Sequence, residues 1–426
     1  MKSKSRKDKD VILDIMSFLF LYMKGGFFMN NLYFSHVNVV DVNKGSILND
    51  MNVLIEKGII SAIAKGELQH DKAEVINGQG KYLCPGVMDM HVHLVWDGSP
   101  DPVSSNIAEG PYIAMLRAMY NAQTSLRKGV TVVRDVGCNQ DVTIFLAHAM
   151  KKGLTWGCDI IPCSSAITGS CGHVPSLSRI ADTNDELVKA VRTLKGLENK
   201  ATLKCQWIKV MATGGACGPE DVGPSMYSVD NLKTIVEEAH RLHMKVSAHA
   251  LPNEGIHACI EAGIDTIEHG ADISVPDLII MKKKGIALIP TLWIYKILAE
   301  SEGIVDSYMS RKAAKVVEQQ KVTFHNALEQ GICIALGTDA GSPNFGMHPN
   351  VFGEMYVMNE YGMDTVQVVK SATITAAKVL GIENSKGSID LGKDGDVLLL
   401  NGNPFQDLHV FETGLEKVFQ RGLLIH

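Results

Sequence analysis

Apolar positions change period along this chain. From about residue 30 to 83 they alternate in short β-branched runs: YFSHVNVVDV, MNVLIEKGIISAIAKG and AEVINGQGKYLCPG, separated by Gly and Asn. That pattern predicts short strands. The C-terminal stretches GSIDLGKDGDVLLLNGNP and KVFQRGLLIH share it. Two β-rich ends around a long middle predict one small β-sandwich domain, residues 29–85 and 386–426, built from both termini.

Between them, over residues 86–385, apolar strands alternate with helical stretches. The strands read as GVMDMHVHL, VTVVRDVG, DIIPCSSAI, WIKVMATGG, KVSAHA, TIEHG, ALIPTL and IALGTDAG. SVDNLKTIVEEAHRLH has Ser at its start and acid in its first turn, as a helix N-terminus requires. MSRKAAKVVEQQKVTFHNALEQG ends on Gly331, where a C-terminal cap is expected. Eight strands alternating with helices predict an α/β fold, a (β/α)8 TIM barrel. Its chemistry should then lie at the C-terminal ends of the strands.

A chain of 426 residues suits one large domain with an accessory one. Its net charge of −6 favours no nucleic-acid or polyanion partner. The nine cysteines form no CxxC pair and read as reduced thiols of a cytoplasmic protein. The start, MKSKSRKDKD followed by VILDIMSFLFLYM, resembles the charged and apolar parts of a signal peptide. Asp14 interrupts that run, and no small-residue cleavage site follows. Residues 1–28 are therefore expected to be a poorly ordered extension, from an upstream start site or as a loosely attached tail, with no stable membrane association; an interfacial anchor is the alternative. A homo-oligomer is expected.

The strand ends carry the candidate chemistry. His91 and His93 alternate, so both imidazoles share one strand face. His249 ends the fifth strand, His269 the sixth and Asp339 the eighth. One histidine at a strand end is usually structural, and Thr-Asp can simply cap a helix. Together, four imidazoles and a carboxylate exceed what one tetrahedral metal needs and suit a metal pair. Lys209, inside the apolar run WIKVM, then acquires a purpose. A desolvated neutral amine can add carbon dioxide, and the resulting carbamate is an anion that can bridge two cations. A snorkelling or ion-paired lysine is the structural alternative.

The ordered set CPGVMDMHVHL, VTVVRDVG, WIKVMATGGA, SAHA, DTIEHG and LGTDAG resembles the amidohydrolase superfamily. The branch it resembles contains metal-dependent dipeptidases, including Xaa-Pro dipeptidase-like and imidazolonepropionase-like proteins. The tail SATITAAKVLGIENSKGSIDLGKDGDVLLLNGNP resembles the family's return to the sandwich. The resemblance implies that His91, His93 and Asp339 bind the more buried metal, and His249 and His269 the more exposed one. It implies carbamylated Lys209 as the bridge, and two divalent ions, zinc by default for such N/O donors. The implied reaction is hydrolysis of a small-molecule amide, a dipeptide or N-acyl amino acid, by a metal-bridging hydroxide. Asp339 carries the proton to the departing amine. His173, in the glycine loop ITGSCGHVP, and Tyr227, in PSMYSVD, are the implied substrate contacts. Ser170 and Cys171 interrupt a loop that is often more glycine-rich in the family. Tyr227 also suits packing ahead of a Ser228 cap. Arg134 and Asp135 read as a structural pair. Cyclic amidases, which also use such a lysine, are the first rival. A one-metal deaminase and a non-catalytic scaffold follow.

Overall fold

The N-terminal alternation folds as five strands: β1 (Leu32–Asp41), β2 (Ser46–Glu56), β3 (Ile59–Ala64), β4 (Glu74–Asn77) and β5 (Tyr82–Pro85). The computed structural model describes residues 31–197, 206–223, 225–346, 348 and 351–426. The expected extension over 1–28, and Cys205, lie outside the described residues. The middle supplies β6 (Val87–Val92), β7 (Val130–Asp135), β8 (Asp159–Pro162), β9 (Ala166–Thr168) and β10 (Ser178–Ile180). It continues through β11 (Trp207–Met211), β12 (Lys245–Ala250), β13 (Thr266–His269) and β14 (Ala287–Ile289). The chain returns through β15 (Val397–Leu400), β16 (Leu415–Gln420) and β17 (Leu423–Leu424).

Both ends of the chain enter one eight-stranded sheet, ordered β17-β16-β15-β5-β1-β2-β3, with β4 also on β1. The join is the antiparallel pair β5–β15, in register from Val397 opposite Pro85 to Leu400 opposite Tyr82. On the edge away from β2, β1 serves two partners. Leu32–Ser35 pairs with β4 and Asn38–Val39 with β5, on either side of an irregularity at His36, whose φ is +56°. Such a bulge bends the strand and re-aims it. The sheet buries a core of its own that includes Phe34, Val37, Val53, Ile55, Leu83, Leu399 and Phe419.

The middle strands are parallel but do not form one uninterrupted ladder. They divide into a three-stranded sheet, β6-β7-β8, and a six-stranded sheet, β10-β9-β11-β12-β13-β14. Two sequence expectations are corrected here. DIIPCSSAI is two strands, because Ser164 takes φ +62° and interrupts it. β8 stays with β7, while β9 joins β11. IALGTDAG is not a regular strand. It touches its neighbours through single bridges, Leu288 to Ile334 and Val92 to Ala340. Its backbone still bonds β6, through Met90 N–H to Leu336 C=O at 2.9 Å and Asp339 N–H to His91 C=O at 2.8 Å. The ladder fails where the Asp89 carboxylate takes Thr338 N–H at 3.0 Å and the Thr338 hydroxyl at 2.6 Å.

The helices follow their sequence signals. Ser228 caps Val229–Arg241, accepting from Asn231 N–H, with Asp230 in the first turn. Ser307–Gln330 ends on Gly331 at φ +66°. Among the described residues, no helix is long and apolar enough to cross a membrane.

An ion cluster fastens the terminal sheet to the parallel strands. The Lys386 ammonium meets Asp396, Asp394 at 2.7 Å and, on β8, Asp159 at 3.0 Å. Arg421 also binds Asp159. Removing the central cation would leave mutually repelling carboxylates, two of them mostly buried. Lys386→Met is therefore expected to lower unfolding stability by about 3 kcal/mol. A urea midpoint equal to that of the wild type would show that the cluster contributes nothing.

Candidate metal centre

His91 lies near the end of β6 and His93 just beyond it. Lys209 is in β11, His249 in β12, His269 ends β13, and Asp339 follows the irregular eighth segment. All six line one pocket, together with His173, Trp96, Cys217, Tyr295 and Ser342. Register accounts for part of this: Lys209 is level with Ser247, and Met211 with His249. His269 and Asp339 arrive differently. Both hold left-handed backbones, φ +69° and +59°. Such angles cost energy in non-glycine residues and concentrate at functional sites.

The ring nitrogens are oriented from behind. His91 Nδ1 meets Glu268 Oε2 at 2.7 Å, and His93 Nδ1 meets the Gly137 carbonyl at 3.1 Å. His269 Nδ1 meets the Thr291 hydroxyl at 2.6 Å. His249 uses Nε2 instead, on the Gly214 carbonyl at 3.1 Å. Each ring thus keeps its other nitrogen for the pocket, the arrangement that outer partners give metal-binding histidines. His91 Nε2 and His93 Nε2 lie 3.5 and 3.4 Å from Asp339 Oδ1. Donor atoms of His91, His269 and Asp339 all fall within 4.8 Å of one another. The His249 and His269 rings are centred 4.6 Å apart.

Burial sets the protonation. Desolvation, then the charge of Lys209, holds His91 well below the usual imidazole value, and desolvation takes His93 to about 3. Desolvation also lowers His249 and His269 well below normal. Four neutral imidazoles are four available lone pairs. Burial raises Asp339 to about 7 against the pull of Lys209, and lowers Lys209 to about 8 against Glu268 and Asp339. A cation among these donors would favour the carboxylate and the neutral amine. The donor set therefore fits divalent metal.

Glu268 organises the floor of the site, and sequence reasoning passed over it. It is fully buried. Besides His91 it accepts from Arg134 at 2.7 Å, Ser247 at 2.8 Å and Thr266 at 2.6 Å. Burial alone would raise its pKa; Arg134 and Lys209 outweigh that and hold it below normal. Arg134 does not pair with Asp135, contrary to the sequence expectation. Asp135 accepts from Leu94 N–H at 2.8 Å and the Thr143 hydroxyl at 3.0 Å, because neighbours on a strand face opposite sides.

The two expected substrate contacts part company. His173 lines the pocket, stacked on His249 with centroids 4.6 Å apart, its Nδ1 on Glu220. Tyr227 is not among the pocket's lining residues. Its buried hydroxyl donates to the Ala181 carbonyl at 2.9 Å, which suits packing ahead of the Ser228 cap.

The amidohydrolase family model matches residues 82–422. Ochratoxinase of Aspergillus niger is 29% identical over 366 residues, covering 78% of this chain and 72% of that protein. A solved Xaa-Pro dipeptidase with methionine bound in its active site is 28% identical with TM-score 0.83, covering 93% of this chain and 99% of its own. A solved prolidase in complex with N-methylphosphonate-L-proline is 26% identical with TM-score 0.84, at the same coverages of 93% and 99%. The chain belongs to the amidohydrolase family and is a hydrolase acting on C–N bonds.

Proposed function

We propose that this protein is a binuclear metal-dependent hydrolase of small-molecule amides, acting on dipeptides or N-acyl amino acids. The observation that carries the proposal is the pocket itself. Four neutral histidines, each with one nitrogen held from behind, face Asp339 and Lys209 in a single buried cavity. The likeness to a dipeptidase and a prolidase supports the substrate class. On this reading the parallel strands close as a (β/α)8 barrel across the Ser164 break and the irregular eighth segment. The terminal sheet, bent at His36, serves as the sandwich.

His91, His93 and Asp339 would hold one ion, and His249 and His269 the other, with zinc the expected metal. Bound ions would supply Lewis acidity toward the scissile carbonyl and a nucleophile at neutral pH. Lys209 would bridge as a carbamate: its amine nitrogen bonds the carbon of carbon dioxide and releases one proton. Asp339, 3.5 and 3.4 Å from the His91 and His93 Nε2 atoms, would take a proton from the nucleophile on its carboxylate and pass it to the departing amine. The Ser342 hydroxyl, 2.9 Å from Asp339 Oδ1, orients that carboxylate. His173 faces the substrate side.

Metal analysis of purified protein, with a panel of dipeptides, N-acyl amino acids and cyclic ureides, tests the reading. Two ions per chain and cleavage of the linear amides are expected. Asp339→Asn should lower kcat by about 10²–10⁴-fold. Cleavage of cyclic ureides alone, or full activity after chelation, would overturn it.

A further inference from the structure

The wall of the metal pocket includes Ala216 and Cys217. Cys217 through Glu220 also line a second, larger cavity of about 650 Å³. That cavity shares Val174 and Cys217 with the metal pocket, so it adjoins it as a vestibule. The segment Gly214–Glu220 therefore divides the metals' side from the side where a substrate's body would lie. Beyond it, Asp221–Gly223 line another cavity, of about 440 Å³. Ala216 packs into the main hydrophobic core, while Gly218, Pro219 and Glu220 are partly or fully exposed beside these hollows.

Polar contacts fasten its exposed end. Lys312, on the helix Ser307–Gln330, directs its ammonium at the segment's carbonyls. It donates to Gly218 C=O at 2.7 Å, to Gly215 C=O at 3.3 Å and to Glu220 C=O. A lysine has three donors, and this one places all three on a single turn of chain. The turn is tight enough to need its glycines: a Cβ at Gly214 would overlap the Asp221 carbonyl, and one at Gly215 the His173 ring. Glu220 accepts from Gly215 N–H at 3.3 Å and meets His173 Nδ1. The wall and the substrate-facing histidine are thus parts of one assembly. The same helix lines the vestibule with Tyr308 and Met309. Its Gln320 donates to the carbonyls of His269 at 3.2 Å and Pro290 at 2.7 Å.

We infer that Lys312 is a positioning residue that sets substrate fit: by gathering the carbonyls of Gly215, Gly218 and Glu220 it fixes the wall between the metal pocket and the vestibule. It touches neither the ligands nor the reacting atoms. Its kinetic consequence rests on the amide-hydrolase reading above; its structural consequence does not.

The test is Lys312→Met in the full chain, with Lys312→Arg as the conservative partner. Against whichever dipeptide or N-acyl amino acid the wild type cleaves, Lys312→Met should raise KM about tenfold or more with kcat within about threefold. Metal content should be unchanged. Hydrogen exchange at the amides of residues 214–218 and 220 should quicken, and Lys312→Arg should restore both KM and protection. Unchanged KM with unchanged exchange would overturn the inference. So would a fall in kcat accompanied by metal loss, which marks a merely structural role. If Lys312→Met does not fold, Lys312→Gln is read in the same way. If the wild type cleaves neither substrate class, the amide reading fails, and the exchange measurement still decides whether Lys312 holds the wall.

Discussion

Lys209→Ala is expected to lower kcat/KM by about 10³-fold and to leave less than the full complement of metal. Short carboxylates such as acetate or propionate should restore part of both. Lys209 is 1% exposed, and burial lowers its ammonium to about 8. At neutral pH a useful fraction is already the free amine, which is the form that adds carbon dioxide. On the proposed binuclear reading, the alanine variant would remove the bridging anion and leave a gap that a small carboxylate can enter. Rescue separates a bridging role from a packing one, because a carboxylate cannot replace a lysine stem. Full metal and full activity in the variant, without added carboxylate, would sink the bridge.

Glu268→Ala should be the most damaging change outside the proposed ligand set. Arg134 is wholly buried, and its ion pair is with Glu268. Its other contacts are Met90 C=O at 2.7 Å, the Thr266 hydroxyl at 3.2 Å and the Trp207 ring, 4.5 Å away. Removing the carboxylate leaves a buried, unneutralised guanidinium, at a cost of about 3–5 kcal/mol. It also frees His91 Nδ1, and the loss of such an outer partner weakens metal binding by about 10–100-fold. Glu268→Gln keeps the shape and an acceptor and should fall between. Urea unfolding of the metal-free protein reads the first effect; competition with a chelator reads the second. If metal-free Glu268→Ala unfolded at the wild-type midpoint, the buried pair would not support the fold.

What was legible in the sequence was what periodicity controls. His91 and His93 follow strand alternation, and His249 and Lys209 lie on adjacent paired strands, so their convergence could be read from spacing. The fold's α/β alternation and the sharing of one sheet by both termini were legible for the same reason. Glu268 was not. It precedes His269, and alternation would send the two to opposite faces; the left-handed backbone at His269 brings both to the site. A weaker clue existed, since Arg134 and Glu268 are opposite charges in two apolar strands and each needed a partner. Ser164 and Asp89 replace regular ladder bonds with local geometry, which no hydrophobic pattern records. Lys312 was invisible because its role depends on a loop nearly a hundred residues away in sequence. Tyr227 suited substrate and packing equally in the sequence, and the hydrogen bond from its hydroxyl to the Ala181 carbonyl is a contact no spacing records.

The pairing of β5 with β15 has a consequence for how the protein is made. β5 emerges from the ribosome early, and its antiparallel partner follows only after about 300 more residues. At roughly 5–20 residues per second, that is about fifteen seconds to a minute of synthesis. Throughout that interval the edge of β5 that will receive β15 is open, and it carries buried-type residues such as Leu83 and Cys84. Open edges recruit other strands. The vulnerable moment for this enzyme therefore falls during translation, and co-expressed chaperones or slower induction should improve its soluble yield more than any change at the metal site.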